Sequence, residues 1–468
     1  MKNREQFKRI ITFIDACVLV AAVAGAFLFI WNDCYNDIII SPFWQKGNLL
    51  LAAVHALIYV LIAKSFNGFK VGYLKPAGLV GSQIISIIGA QIVTYLQISL
   101  IGRDFMPVAP MMLLTVYDII VAAIWSFSST KLISILYPPK KMTIVYGGQS
   151  AKELVLKMSS RMDNYLICSS ISINEGLDAI KEHISNYEEV IICDVSAQMR
   201  NELVKYTFDK SIKTYITPKL SDIIVRGADE FHMFDTPLII AHNSGPSFEL
   251  RIFKRFFDII LSLISLAIFS PFMLITAIAI KLYDGGSVLY KQKRLTIGGK
   301  VFDVYKFRSM IVDAEKDGVA RLASNNDDRI TPIGKLIRKI RFDEIPQLIN
   351  ILKGDMSFVG PRPERPEIAE QYEQIIPEFS FRLKVKAGLT GYAQVFGKYN
   401  TTPYDKLKLD LMYIERQSLA LDFRIILMTF KTIFVPDSTE GIAEGETAIK
   451  ETRNSEPERT DDKEKIHN

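Results

Sequence analysis

The sequence predicts a membrane protein in three parts: an N-terminal four-helix transmembrane bundle, a Rossmann-like α/β middle domain, and an α-rich C-terminal module with a re-entrant helix. Three observations predict it. Apolar runs almost free of charge occupy residues near 10–30, 48–63, 77–101 and 105–127. A fifth run, 256–280, carries basic residues on both flanks. Between them, over 141–245, strand-like and helix-like patterns alternate.

Each of the first four runs is about long enough to cross a hydrocarbon core of roughly 30 Å. Hydrophobic residues make up 49% of the 468, and the excess sits in these runs. It therefore signals a membrane rather than a large soluble core. Lys2, Arg4, Lys8 and Arg9 precede the first run; Lys64, Lys70 and Lys75 separate the second from the third. Lys131, Lys140 and Lys141 follow the fourth. The other two loops carry only Lys46 and Arg103, beside Asp33, Asp37 and Asp104. Basic residues favour the cytoplasmic side, so both ends of a bundle over 1–135 are expected there. The basic N-terminus also suits a signal peptide, but three more apolar runs follow, which favours a retained span. Cys17, Cys34, Cys168 and Cys193 form no CxxC pair, so neither a zinc site nor a disulfide framework is expected. A net charge of +5 is too weak to imply nucleic acid.

The fifth run is flanked by Arg251, Lys254 and Arg255 before it, and by Lys281, Lys291, Lys293 and Arg294 after it. At its middle stands Ser270-Pro271, where a missing donor and a ring clash predict a bend. A bent hairpin entering one leaflet keeps both basic ends cytoplasmic. The alternative, an ordinary fifth span, would place everything after it outside the cell.

In the middle domain, 141–245, Met142–Tyr146, Val190–Cys193 and Lys213–Ile216 read as strands of a parallel sheet. The first turn reads GGQSAKE, not G-x-G-x-x-G, so the glycines that admit a pyrophosphate are mostly absent. A regulatory, vestigial or dimerising sheet is expected, the last compatible with a homodimer. Residues from Arg226 to Leu238 read as a linker.

The last module, 250–436, contains Thr331–Phe342. Thr331 suits a helix cap and Pro332 the first helical position. Ile333, Leu336, Ile337 and Ile340 share one face, with Lys335, Arg338, Lys339 and Arg341 around the rest. Such a helix lies in a membrane interface or packs on a core with a solvated basic face. It delivers Asp343-Glu344, with Pro346 close behind. Paired acids among basic residues are usually a solvated cluster. Chemistry is favoured by an adjacent helix N-terminus, by arginine forks for phosphate, and by carboxylates able to bind Mg²⁺ or attack a phosphoryl centre. Lys353–Pro363 adds tight turns, Asp355 and Arg362. No histidine occurs between Arg251 and Pro436, which excludes Ser-His catalysis and His-based metal sites in this module.

Seven runs then stand in order: Lys254–Asp258, Ser270-Pro271, Tyr305–Met310, Asp343–Gln347, Lys353–Ser357, Gly360–Pro363 and Gly388–Val395. On these, residues 250–434 closely resemble the bacterial sugar transferases, the polyprenyl-phosphate glycosyl-1-phosphate transferases also called monotopic phosphoglycosyl transferases. The whole chain resembles their large form. The resemblance implies transfer of a sugar-1-phosphate from a UDP-sugar to undecaprenyl phosphate at the cytoplasmic face of a bacterial inner membrane, with release of UMP. That reaction initiates exopolysaccharide, capsule or O-antigen synthesis. It implies Asp343 as nucleophile through a covalent phospho-sugar, Glu344 as its partner, and Mg²⁺ held at both. Arg338, Lys306, Arg308, Arg362 and Lys386 match basic positions expected at phosphate or substrate, and Ser270-Pro271 the break of a re-entrant helix held in membrane lipid.

Two departures stand out. Lys386-Ala387 replaces a common Arg-Pro, and Phe396-Gly397-Lys398 a common Asn-Gly-Arg. Lysine keeps the charge but loses the bidentate fork, which bears on sugar identity more than on reaction class. The charged tail, 437–468, is expected to be disordered. The competing reading is an inactive membrane scaffold or regulator of polysaccharide assembly; the Asp-Glu pair with its basic shell argues against it. A sugar epimerase would need an intact glycine fingerprint in the middle domain.

Overall fold

A computed structural model describes residues 2–148, 150–159, 161, 164–241, 245–311, 329–397 and 401–433. Lys398 and the tail 437–468 lie outside the described residues. Contacts divide the chain into two units, Met1–Thr217 and Pro218–Asn468.

The first unit opens with four helices, α1 (Lys2–Cys34), α2 (Gln45–Ser65), α3 (Pro76–Gly102) and α4 (Val108–Leu136). All four are long and apolar enough to cross a membrane. They pack around Leu19, Tyr59, Leu79, Ile87 and Ala122 at one level and Phe27, Trp31, Leu51, Ile98 and Leu114 at another. Phe13, Val18, Phe29, Leu61, Ile92 and Ile124 face outward. Several polar groups face inward and partner one another: His55 with Thr94, Tyr59 with Gln83, Gln91 with Asp118. This inversion is what lipid demands, since an outward polar side chain would find no partner there.

Beyond α4 come β1 (Lys141–Tyr146), α5 (Ser150–Ser159), β2 (Leu166–Ser172), α6 (Leu177–Ser185), β3 (Glu189–Cys193), α7 (Ala197–Asp209) and β4 (Lys213–Ile216). The sheet is parallel in the order β2-β1-β3-β4. Strand β2 escapes the sequence reading because it lies at an edge and is interrupted by small polar residues, Ser169, Ser170 and Ser172. The order reverses between β1 and β3, where an open α/β sheet would receive a ligand. There a Cβ on Gly147 would fall 2.2 Å from the Asp194 carbonyl oxygen. Asp194 itself has φ 52°. The glycine thus lets two loops close on each other. Titrating NAD into the full-length protein is expected to give no binding heat in a calorimeter; micromolar binding would show this crevice to be open.

By its contacts the segment after Thr217 falls in the second unit, where the sequence reading runs the middle domain to 245 and places a linker from Arg226 to Leu238. Helix α8 (Leu220–Gly227) buries Leu220 and Ile223 against Phe379, Leu407 and Leu411. A hairpin of β5 (Asp229–Met233) and β6 (Thr236–Ile240) follows. Then come α9 (Phe248–Asp284) and the antiparallel pair β7 (Leu289–Leu295) and β8 (Val301–Phe307). Helices α10 (Pro332–Lys339) and α11 (Gln347–Lys353) precede β9 (Met356–Val359). Helix α12 (Pro366–Ile375) leads to β10 (Ala387–Thr390), which pairs in parallel with β9. Helices α13 (Tyr392–Phe396), α14 (Pro403–Ile414) and α15 (Leu419–Ile433) close the unit.

Helix α9 touches this unit at points spread along one face from Lys254 to Asp284. Lys254 pairs with Asp422, and Asp258 accepts from Ser357 and the Phe358 N–H. Leu266 packs near Phe302 and Leu348; Met273, Ala277 and Ile280 pack near Phe307 and Ile337. Asp284 pairs with Arg308. The other face exposes Phe253, Phe256, Leu263, Ile264, Ile268, Phe272, Ile275 and Leu282. The backbone stays helical across Ser270 and Pro271, so the expected break is carried as a proline inside one 37-residue helix. Pro271 cannot donate to the Ala267 carbonyl; the Ser270 hydroxyl donates to it instead, at 2.9 Å.

Candidate active site

Local sequence builds the turn that carries the two acids. The Thr331 hydroxyl caps α10 by accepting from the Gly334 N–H at 2.9 Å, and Pro332 opens the helix. Gly334 is required by packing: a Cβ there would lie 2.0 Å from the Ser309 carbonyl oxygen. The expected apolar face divides. Ile333 and Ile337 pack against α9 and Phe307, while Leu336 and Ile340 stay 64% and 51% exposed beside Lys335 and Lys339. Arg341, at φ 55°, then reverses the chain into a 3-10 turn over Phe342–Glu344. A left-handed arginine costs about 1–2 kcal/mol and persists only where its surroundings demand it. Pro346 starts α11, whose last carbonyls, of Ile351 and Leu352, accept the fork of Arg255 from α9.

The two carboxylates have different surroundings. Glu344 Oε1 accepts from Lys306 Nζ and from Arg362 Nη2, both at 2.9 Å. The Asp343 side chain makes no hydrogen bond or ion pair to the described residues. Burial opposes the charge on Glu344, but Arg362, Lys306 and Arg341 outweigh it and hold the carboxyl far below its usual range. Burial and then the Glu344 charge push Asp343 up, against Lys306, Arg338 and Arg362. The pair is thus a fixed anion beside a carboxyl whose ionisation is resisted.

A second buried ionic network holds Arg362 in place. Arg382, 3% exposed, donates to the Arg362 carbonyl at 2.8 Å. It also pairs with Glu364 at 3.2 Å and Asp410 at 2.8 Å, and Lys406 joins Glu364. Arg294 donates to the Pro363 carbonyl at 3.0 Å. Burial lowers its pKa to about 10. Both Pro361 and Pro363 are buried, so the Arg362 loop is stiff on either side of its cation.

Of the residues named from sequence, Asp343, Glu344, Lys306 and Arg362 come together, and Arg338 is close enough to act on Asp343. Arg308 is engaged elsewhere, buried against Asp284 at the end of α9. Lys386 lies beside Arg255, and burial followed by that charge lowers its pKa. Neither makes a hydrogen bond or ion pair to Asp343 or Glu344. Arg382, Glu364 and Asp410 were not singled out from sequence, and Arg294 only as a basic flank of the fifth apolar run; Glu364 directly follows the Gly-Pro-Arg-Pro run, its one local signal.

The family described as Bacterial sugar transferase matches residues 249–436. The UDP-N-acetylgalactosamine-undecaprenyl-phosphate N-acetylgalactosaminephosphotransferase of Aeromonas hydrophila is 43% identical over 191 residues, 40% of this chain and 45% of that protein. The UDP-glucose:undecaprenyl-phosphate glucose-1-phosphate transferase of Escherichia coli K12 is 39% identical over 216 residues, 45% of each chain. That of Caulobacter vibrioides is 36% identical over 212 residues, 43% of this chain and 78% of the relative. The chain belongs to the bacterial sugar transferase family. It spans about half the length of the first two of these relatives, at 45% of each.

Proposed function

We propose that this protein transfers a sugar-1-phosphate from a UDP-sugar to undecaprenyl phosphate or a similar polyprenyl phosphate, releasing UMP, as the initiating step of exopolysaccharide, capsule or O-antigen assembly. The observation that carries the reading is the asymmetric pair: an Asp343 whose side chain has no hydrogen-bond partner among the described residues, beside a Glu344 held by Lys306 and Arg362. In the first step an Asp343 carboxylate oxygen attacks the phosphorus bearing the sugar, and the bridging P–O bond to UMP breaks. In the second, a phosphate oxygen of the lipid attacks the same phosphorus and Asp343 leaves as carboxylate. Lys306, Arg362 and Arg338 are cations near enough to steady charge on the transferring group.

Among the described residues no group of three His, Cys, Asp or Glu side chains is placed to hold a metal. Two carboxylates alone suit Mg²⁺, which takes one or two of them and completes its shell with substrate phosphates and water. Asp343 and Glu344 are the residues that would hold it, and the ion would offset diphosphate charge.

The relatives' names and the five long apolar helices support a membrane setting. In this reading α1–α4 form the transmembrane bundle, and α9 is re-entrant, with both its ends cytoplasmic. The stripe of α9 contacts supports the second point, since Lys254 and Asp284 bind the same folded unit. In a cysteine-free variant, Arg251→Cys and Tyr283→Cys, both at exposed positions, should each be labelled only from the cytoplasmic side. Labelling of one from each side would establish a fifth span.

The reaction itself is tested by incubating membranes that contain the protein with a panel of UDP-sugars and polyprenyl phosphate. One UDP-sugar is expected to yield a polyprenyl-diphosphate-sugar and UMP, identified by mass. A panel with no lipid-linked product would sink the proposal and favour a scaffold.

A further inference from the structure

We propose that Phe342 is a positioning residue: it ties the nucleophile Asp343 to the proline-bearing stretch of α9 through a cluster of three phenylalanine rings. This rests on the proposed reaction. Phe342 immediately precedes Asp343. Its ring lies parallel to Phe307, with centroids 6.1 Å apart and planes at 4°, and edge-on to Phe269 at 6.1 Å and 80°. Phe307 follows Lys306, the cation on Glu344. Phe269 precedes Ser270-Pro271. The ring cluster therefore joins the three segments that carry the clamp, the nucleophile and the membrane helix.

The turn needs such an anchor. Glu344 is located by two charged hydrogen bonds on its own side chain. Asp343 has none to the described residues, so its place follows from the backbone of a three-residue turn. That turn is entered through a left-handed Arg341 and closed by 3.3 Å and 3.2 Å backbone bonds from Glu344 and Ile345. On the Asp343 side of the turn the side chain that grips the fold is Phe342, seated among Ile280, Phe307 and Ile337. Phe269 lies in the membrane helix between the exposed Ile268 and the exposed Phe272, two turns from the buried Ser262. The seating of α9 in the bilayer is thereby read at Asp343, while Lys306 and Arg362 are also fixed by their own hydrogen bonds to Glu344.

The test uses full-length protein in phosphatidylethanolamine–phosphatidylglycerol vesicles and the UDP-sugar selected by the panel, with UMP release followed before lipid acceptor is added. Phe342→Leu is expected to slow the burst by about tenfold or more, while the half-saturating UDP-sugar concentration moves less than about threefold. Phe342→Tyr, which keeps the ring, should stay within about twofold of the wild type. Phe269→Leu should slow the burst by a smaller factor, and the double variant should be no slower than Phe342→Leu by more than about twofold, as coupled neighbours behave. A wild-type rate in Phe342→Leu, a Phe342→Tyr as slow as Phe342→Leu, or effects that multiply in the double variant would overturn the assignment. If Phe342→Leu does not fold, a slowed burst in Phe269→Leu at unchanged half-saturation supports the assignment and a normal one overturns it. If the wild type gives no burst, the covalent step fails instead, and the same pattern is then sought in kcat with acceptor present.

Discussion

Replacing Asp343 by asparagine is expected to abolish both UMP release and lipid-product formation, by about 10⁴-fold or more, because an amide cannot carry the phosphoryl group between two substrates. The wild type, given UDP-sugar without polyprenyl phosphate, should release UMP in one burst no larger than the enzyme present. Intact mass should then show a phospho-sugar adduct. The variant should show neither, and the arrangement around Asp343 explains why little else should change. The Asp343 carboxylate makes no internal hydrogen bond among the described residues, so asparagine there breaks no contact that the fold uses. Lys306 and Arg362 remain on Glu344. UDP-sugar binding should persist, which separates loss of chemistry from loss of folding. UMP release that requires the lipid acceptor, with no adduct on the wild type, would replace the two-step route by direct transfer. In the proposed two-step route the separation has a physical use: a UDP-sugar is water-soluble and a polyprenyl phosphate membrane-bound, and a nucleophile visited by each in turn would spare one small site from holding both.

Much of this site is legible in the sequence because it is local. Thr331-Pro332 caps a helix and Arg341 to Pro346 must leave it, so two adjacent acids are delivered at a junction. The seven ordered runs add Lys306 and Arg362, which meet Glu344 in the fold. What the residues alone conceal is long-range. Arg308 and Arg362 look equivalent as basic residues in matching runs; one is consumed by Asp284 at the end of α9 and the other reaches the acids. Arg382 and Asp410 carry no local signal, because their significance arises only once both are buried behind Arg362. The amphipathic face of α10 is visible as a pattern, yet pattern alone does not say that Ile337 goes inward and Leu336 outward. Similarly, Leu220 and Ile223 read as the end of the middle domain until their packing on Phe379 and Leu411 assigns them to the next unit.

Glu344→Gln is expected to lower turnover at least about a hundredfold and to move its acid limb to lower pH. The first effect follows from the clamp. Two cations converge on one Glu344 oxygen, and an amide offers them a neutral acceptor, so Lys306 and Arg362 lose the charge that fixes their positions. The second effect has a definite sign. In the proposed mechanism attack requires ionised Asp343, so the burst rate should rise with pH as that carboxyl loses its proton. In the native site burial and the neighbouring Glu344 charge both raise its pKa, which sets the acid limb above that of an ordinary aspartate. Glutamine removes the second of these and leaves Lys306, Arg338 and Arg362, each of which favours the ionised form. Asp343 then ionises more readily, and the residual activity of the variant should persist to lower pH than that of the wild type. Burst rates of both proteins, measured across the acid range with the same UDP-sugar, provide the comparison. A limb that stays in place, or moves upward, would mean that the titrating group is not Asp343 or that Glu344 carries no charge in the working site.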